Sequence, residues 1–335
     1  MRSVRHHRGL PMGGMIRPRS RWTFCAVLGA CASVGLAGAG AAAATTKYTI
    51  TDLGSLGFGV SVGAGINASG QITGESYLAT TVPAHGCPPR VKHCVTHPEH
   101  PFLDSSGTMT DLGTLGGNFA VGFAINRSGE VAGYSTTASG NYQAFVDQNG
   151  QMTGLGSLVT GGSSQAYAIN DSGAVAGQAS VSNGGPHAFL NIGGKMTDLG
   201  LLPGEGGTFT TASGINNSNQ VAGSGDNAAS EERAFRYSNG KMTDLGAYNI
   251  DTVAEAINDS GAIVGQTYGQ NSDGSTFNHA FIYTAGHFQD LNSLIPAGSG
   301  FDLTNAPAIN DNDQIVAEAY DTTTGQNQTV ILNPS

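Results

Sequence analysis

Six copies of one short pattern run through the chain, and they decide what it can fold into. A triplet Ala/Gly-Ile-Asn ends at Asn67, Asn126, Asn170, Asn216, Asn258 and Asn310, with spacings of 59, 44, 46, 42 and 52 residues. Further landmarks follow it, complete over residues 256–291: Ser-Gly-x-Ile/Val-x-Gly, then His-Ala-Phe, then Asp-Leu. A length of 335 residues would allow two average domains, but an internal repeat of this kind overrides that prior.

Each unit holds four short β-type runs and no stretch of helical period. In the third unit these are residues 165–170, 174–180, 187–191 and 195–199. Asn-x-Ser-Gly joins the first two, with Asn starting the bend and Gly at the position that needs φ > 0. Turns such as Gly193-Gly194 and Asn239-Gly240 join the last two. Four antiparallel strands per repeat, repeated radially, predict an all-β fold, a six-bladed β-propeller of four-stranded antiparallel blades.

The ends complement each other. Residues 47–54, KYTITDLG, match a fourth strand without its first three, and residues 308–332 match three strands without a fourth. The N-terminal strand is therefore expected to pair with residues 328–332 and close the ring, which removes open sheet edges. The expected organisation is a leader over 1–44 and one propeller domain over 45–335, with an insertion at 83–101 in the first repeat.

These landmarks resemble the HAF-repeat family, named for its His-Ala-Phe triplet and described as extracellular repeat proteins of bacteria. The resemblance covers about residues 47–332. The triplet is literal at His187 and His279; the other copies read His-Pro-Phe, Gln-Ala-Phe, Arg-Ala-Phe and Gln-Thr-Val. It implies export and a propeller-like repeat fold, and it carries no catalytic residue onto this chain.

Residues 1–44 read as a targeting segment: six Arg in the first 21 positions, then an unbroken apolar run closing on four Ala. Met15 is an alternative start. Simple secretion, to the exterior or the periplasm, is the favoured reading. Leu28-Gly29-Ala30-Cys31 also resembles a lipobox, so lipid anchoring through Cys31 stays open; the Gly and Ala content makes a poor membrane anchor. Beyond the leader stand 8 basic and 24 acidic residues, a formal net charge of −16. So acidic a surface repels phosphate backbones and argues against nucleic acid as a partner. The two remaining cysteines, Cys87 and Cys94, are an even pair in an exported protein, which favours a disulfide over a zinc site.

His100, His187 and His279 precede a Phe by two residues, hence share its strand face, and a structural hydrogen bond is favoured over catalysis. Glu205, Glu231, Glu232, Glu255 and Asp302 break the repeat as acids; solvated loop charges are favoured over a glycosidase pair. No calcium loop, phosphate-binding loop or nucleophile elbow appears, so no metal or cofactor is expected. Turns between strands one and two and between three and four are short and uniform. The opposite connections vary, and variable loops on a rigid scaffold carry recognition. The expected binding residues on that loop-rich face are Glu205, Phe209, Glu231, Glu232, Phe301 and Asp302. The function expected is a secreted, monomeric, non-catalytic scaffold binding an extracellular glycan or protein. A carbohydrate-active enzyme using loop carboxylates and a structural envelope component remain the alternatives.

Overall fold

The repeat's Asn begins each sheet. Asn170 Oδ1 accepts from the Ser172 and Ala174 amides at 3.1 and 2.9 Å, and Gly173 then reverses the chain at φ +76°. The same bend recurs in every copy, although Asn219 and Asp313 take the left-handed position in the fourth and sixth. The computed structural model describes residues 51–83, 95–204, 206–246, 248–271 and 273–334. The leader, Cys87, Cys94 and Glu205 lie outside the described residues.

The first sheet comprises β1 (Gly57–Ile66), β2 (Ile72–Leu78), β5 (Glu99–Ser105) and β6 (Thr108–Asp111). A two-stranded ribbon, β3 (Val82–Pro83) and β4 (Val95–Thr96), flanks the insertion. The second sheet runs β7 (Gly116–Ile125), β8 (Val131–Thr137), β9 (Tyr142–Gln148), β10 (Gln151–Gly154). The third runs β11 (Ser164–Ile169), β12 (Val175–Ala179), β13 (His187–Ile192), β14 (Lys195–Gly200). The fourth runs β15 (Thr210–Ile215), β16 (Val221–Asp226), β17 (Glu232–Ser238), β18 (Lys241–Asp244). The fifth runs β19 (Asp251–Ile257), β20 (Ile263–Gln270), β21 (Thr276–Thr284), β22 (His287–Asp290). The sixth has three strands, β23 (Phe301–Ile309), β24 (Ile315–Asp321) and β25 (Gln326–Leu332). The strands expected in the third unit lie within a residue or so of those found.

The sheets are arranged as a fan. First strands of successive sheets stand side by side from β1 through β7, β11, β15 and β19 to β23. Fourth strands make their extensive contacts only with the third strand of their own sheet. First strands therefore form the hub and fourth strands the rim. One departure from six separate sheets occurs: a single parallel bridge, Glu99 to Phe119, joins β5 to β7 and merges the first two sheets. Closure by residues 47–54 falls largely on residues 47–50, outside the described residues. Among the described residues no pairing joins the first and sixth sheets, and β25 pairs only with β24.

Between sheets the core is built from one Phe per repeat. Phe102, Phe145, Phe189, Phe235 and Phe281 are 1% exposed or less. Each fills the space above a strand-two glycine such as Gly177, which pairs with Phe189. That glycine answers a β-bulge in the first strand, where the register slips between Ala166 and Ala168. The slip drives the Gln165 carbonyl oxygen into the space a side chain on Gly177 would occupy. Gly74, Gly133, Gly223 and Gly265 meet the same carbonyl in their own sheets. This is why the repeat reads Ile/Val-x-Gly.

Candidate functional site

Most residues that make the repeat recognisable are consumed by structure. The first five triplet Asn each donate from Nδ2 to the carbonyl of their counterpart in the next repeat. Asn67 reaches Asn126 at 3.0 Å, Asn126 reaches Asn170 at 3.1, Asn170 reaches Asn216 at 2.9, Asn216 reaches Asn258 at 3.0, and Asn258 reaches Asn310 at 3.1. The His clasps strand three to strand four: His100, His187 and His279 meet Asp111, Asp198 and Asp290 at 2.8, 2.9 and 2.6 Å. Asp111 and Asp198 also accept from the amides of Gly113 and Gly200, both at 2.7 Å. Burial works against the Asp111 carboxylate, yet the hydrogen bonds from His100 and the Gly113 amide hold its pKa below the usual value. The structural reading of His-Ala-Phe and Asp-Leu-Gly follows from these bonds.

Two positions per sheet lie outside these repeated bonds. One is the bulge residue, three before the triplet Asn: Ala64, Phe123, Tyr167, Ser213, Glu255 and Pro307. Proline suits a bulge, since it has no amide hydrogen to pair. The other follows the strand-two glycine or its sixth-sheet equivalent: Glu75, Tyr134, Gln178, Ser224, Gln266 and Glu318. No two sheets carry the same pair. First strands neighbour one another at the hub, and there Phe123 meets Tyr167 and Glu255 faces Glu318.

The composition of this wall changes around the fan. In the second and third sheets it is aromatic. Phe123 stacks on Tyr134 at 5.5 Å and meets Tyr167 edge-on at 5.6 Å; Phe119 and Tyr142 extend the group at 5.7 and 5.4 Å from Tyr134. All five rings are half-buried, and none belongs to a buried hydrophobic cluster. In the third and fourth sheets it is amide and hydroxyl. The Tyr167 hydroxyl donates to Gln165 Oε1 at 2.6 Å, Gln178 Nε2 donates to the same oxygen at 2.7 Å, and Thr211 donates to Gln178 Oε1 at 2.9 Å. Burial raises the Tyr167 phenol pKa, so it stays a protonated donor.

From the fourth sheet to the sixth the wall is acidic. Burial, then Glu318 and Glu232, push Glu255 up to about 7. Burial also raises Glu232, against a 2.7 Å hydrogen bond from Ser224 and with the charges of Asp251 and Asp226. In the first sheet, burial and then Glu99 raise Glu75, and a hydrogen bond with Glu99, then burial, raises Tyr77 to about 12. Among the described residues no basic side chain acts on Glu75, Glu232 or Glu255.

The residues expected on the loop-rich face are spread out. The Phe209 amide donates to Asp226 at 2.9 Å, and Glu231 is tied to Asn227 and Arg233. Phe301 packs on the buried cluster of the last two sheets, while Asp302 lies 3.8 Å from His279 Nε2. Glu232 alone among the described five joins the hub wall, through Ser224 and Glu255. Glu255, legible as an acid that breaks the repeat, belongs to it as well. The aromatic wall had a signal too: the position three before each triplet Asn varies more than any neighbour in its strand. A polar recess of about 380 Å³ opens on the loop-rich face, lined among others by Thr137, Asn141, Gln143 and Gly161. Among the described residues no group of His, Cys, Asp or Glu is placed to hold a metal, and no helix is long and apolar enough to cross a membrane.

No family model and no curated protein matches the chain. Solved structures do resemble it. TolB from Acinetobacter baumannii is 12% identical with a TM-score of 0.42, over 70% of this chain and 60% of TolB. The β-propeller domain of the Trilobed protease from Pyrococcus furiosus is 8% identical with a TM-score of 0.48, over 82% of this chain and 83% of that domain. Dipeptidyl peptidase 4 from Porphyromonas gingivalis is 9% identical with a TM-score of 0.39, over 79% of this chain and 36% of the peptidase. The chain thus spans under two thirds of the TolB and peptidase chains.

Proposed function

We propose that the chain is an exported, non-catalytic binding scaffold of the HAF-repeat kind, a closed six-bladed propeller whose ligand sits against the hub wall. One observation carries the binding reading. Around a repeated frame, two positions per sheet carry a pair of residues that no two copies share, and side chains among them meet at the hub, Phe123 with Tyr167 and Glu255 with Glu318. A purely structural repeat has no use for that variety at positions outside its repeated Asn and His–Asp bonds. A library thermal-shift screen on the purified chain tests it. A stabilising compound is expected, recovered chemically intact, with its shift lost in Tyr134→Ala. Turnover of the compound would overturn the non-catalytic reading, and stabilisation unaffected by hub substitutions would overturn the site.

Closure is supported by the two end faces, which are halves of one repeated interface. Between the third and fourth sheets, Leu190 and Ile215 lie in one cluster at 7% and 9% exposure. Their counterparts at the ends, Ile331 and Ile66, are 57% and 68% exposed. Among the described residues the Asn ladder likewise stops at Asn310, whose Nδ2 bonds its own Gln314 side chain at 2.9 Å. A closed ring sets Ile331 against Ile66 and offers the Asn310 amide the Asn67 carbonyl. Ile331→Ala should then lower stability by about 2 kcal/mol in chemical denaturation. A change within error of zero would leave the ring open.

A further inference from the structure

We propose that the hub wall of the second to fourth sheets binds a neutral oligosaccharide; this rests on the binding-scaffold reading and names its ligand class. The geometry places two chemistries side by side. Phe119, Phe123, Tyr134 and Tyr142 offer apolar ring faces outside the buried core, their centroids within 6.2 Å of a neighbour. Tyr167 joins them to the amides of Gln165 and Gln178 and the hydroxyl of Thr211. A pyranose has the matching duality: a face of C–H groups that lies on an aromatic ring, and equatorial hydroxyls that both donate and accept. Planar amides and hydroxyls, which also do both, are suited to that rim. Those groups already bond one another, and an apolar ligand would desolvate their remaining hydrogen-bonding capacity and return none, which is costly. A nucleobase could use the rings, but its phosphates would face a wall without a basic side chain.

Charge narrows the class further. Around the hub, the next side chains are Glu232, Glu255 and Glu318, and among the described residues no cation acts on Glu232 or Glu255. Uronic or sialic acid units would add a carboxylate beside carboxylates already crowded. A neutral chain meets no such repulsion, and the same acids accept its hydroxyl protons.

The full-length chain should be titrated calorimetrically with cellohexaose, laminarihexaose, maltohexaose and chitohexaose, and with hexagalacturonate as the acidic probe. At least one neutral hexasaccharide is expected to bind with a Kd between about 1 μM and 1 mM. Phe123→Ala and Tyr134→Ala should each weaken it at least about tenfold, a change of 1.4 kcal/mol. Tyr320→Ala, on the exposed face of the sixth sheet, should leave it unchanged. Tyr167→Phe removes a single hydroxyl, and should weaken binding about threefold even if the larger truncations fail to fold. Absence of binding across the neutral panel, equal binding of hexagalacturonate, or wall variants indistinguishable from wild type would each overturn the proposal. A failed panel beside a non-sugar compound that stabilises through Tyr134 would remove only the ligand class. Failure of every compound to act through the hub would remove the binding-scaffold reading as well.

Discussion

Gly177→Ala should destabilise the protein by at least about 3 kcal/mol, more than a single methyl group usually costs anywhere else in a β-sheet. The added carbon would fall inside the envelope of the Gln165 carbonyl oxygen and against the Ala166 backbone, neither of which is the movable end of a flexible side chain. Relief requires the bulge at Tyr167 to unwind, and the bulge sets the register between the first two strands on either side of it. Unwinding would also shift the strand that carries Ala166, buried in the same cluster as Phe189 of the neighbouring strand pair. Gly140→Ala is the matched control. Gly140 lies in an exposed turn with nothing near its missing side chain, so only its φ of +87° opposes alanine, a cost of about 1 kcal/mol. Urea denaturation of both variants separates steric collision from backbone strain. Equal losses would mean that the bulge yields easily and that the strand-two glycine is not fixed by it.

Short-range sequence patterns encode local structure and leave long-range partners unmarked. Asn-x-Ser-Gly announces a turn through its own residues, and the turn is found with Gly in the left-handed region at Gly70, Gly129, Gly173 and Gly261. The second role of the same Asn, donating to the next repeat, has its acceptor 42 to 59 residues away. No short-range pattern encodes that partner. His187 was legible as structural because its Phe neighbour is on the same strand face, but its partner Asp198 became evident only with the pairing of strands three and four.

Variety in the loops points away from the hub wall, whose residues lie on strands. Strand periodicity assigns each residue to one face or the other, and a bulge breaks that assignment at one position per sheet. The signal was nonetheless present. Ala64, Phe123, Tyr167, Ser213, Glu255 and Pro307 occupy one place in an otherwise uniform strand, and no common core could accept all six. Recognition placed on a bulge keeps the rigidity of the sheet while freeing a side chain from the packing pattern. Loop length, by contrast, varies here for reasons that include the Asp226 and Asn227 turns, which tie Phe209 and Glu231 into local hydrogen bonds.

Glu255→Gln should make the protein more pH-tolerant and, near pH 8, more stable. Burial, followed by the charges of Glu318 and Glu232, raises the Glu255 carboxyl from 4.5 to about 7. The folded chain therefore holds this proton more tightly than the unfolded chain does. Its contribution is fully present below pH 4.5 and is lost as pH rises towards 7, after which it stays flat. At 1.36 kcal/mol per pH unit, the loss across that window is about 3 kcal/mol. Glutamine mimics the protonated carboxyl and has no such loss. The difference in unfolding free energy between variant and wild type should thus grow by about 3 kcal/mol from pH 4.5 to 8. Using the difference cancels Glu75, which shifts in the same direction, and Asp111 and Asp226, which shift in the other. Glu232 and Glu318, whose charges act on Glu255, are carried into the difference as part of the same acidic cluster. Denaturation at four or five pH values measures it. A difference that stays constant would show that Glu255 ionises freely, and that the acidic side of the hub is open to solvent and carries no crowded charge.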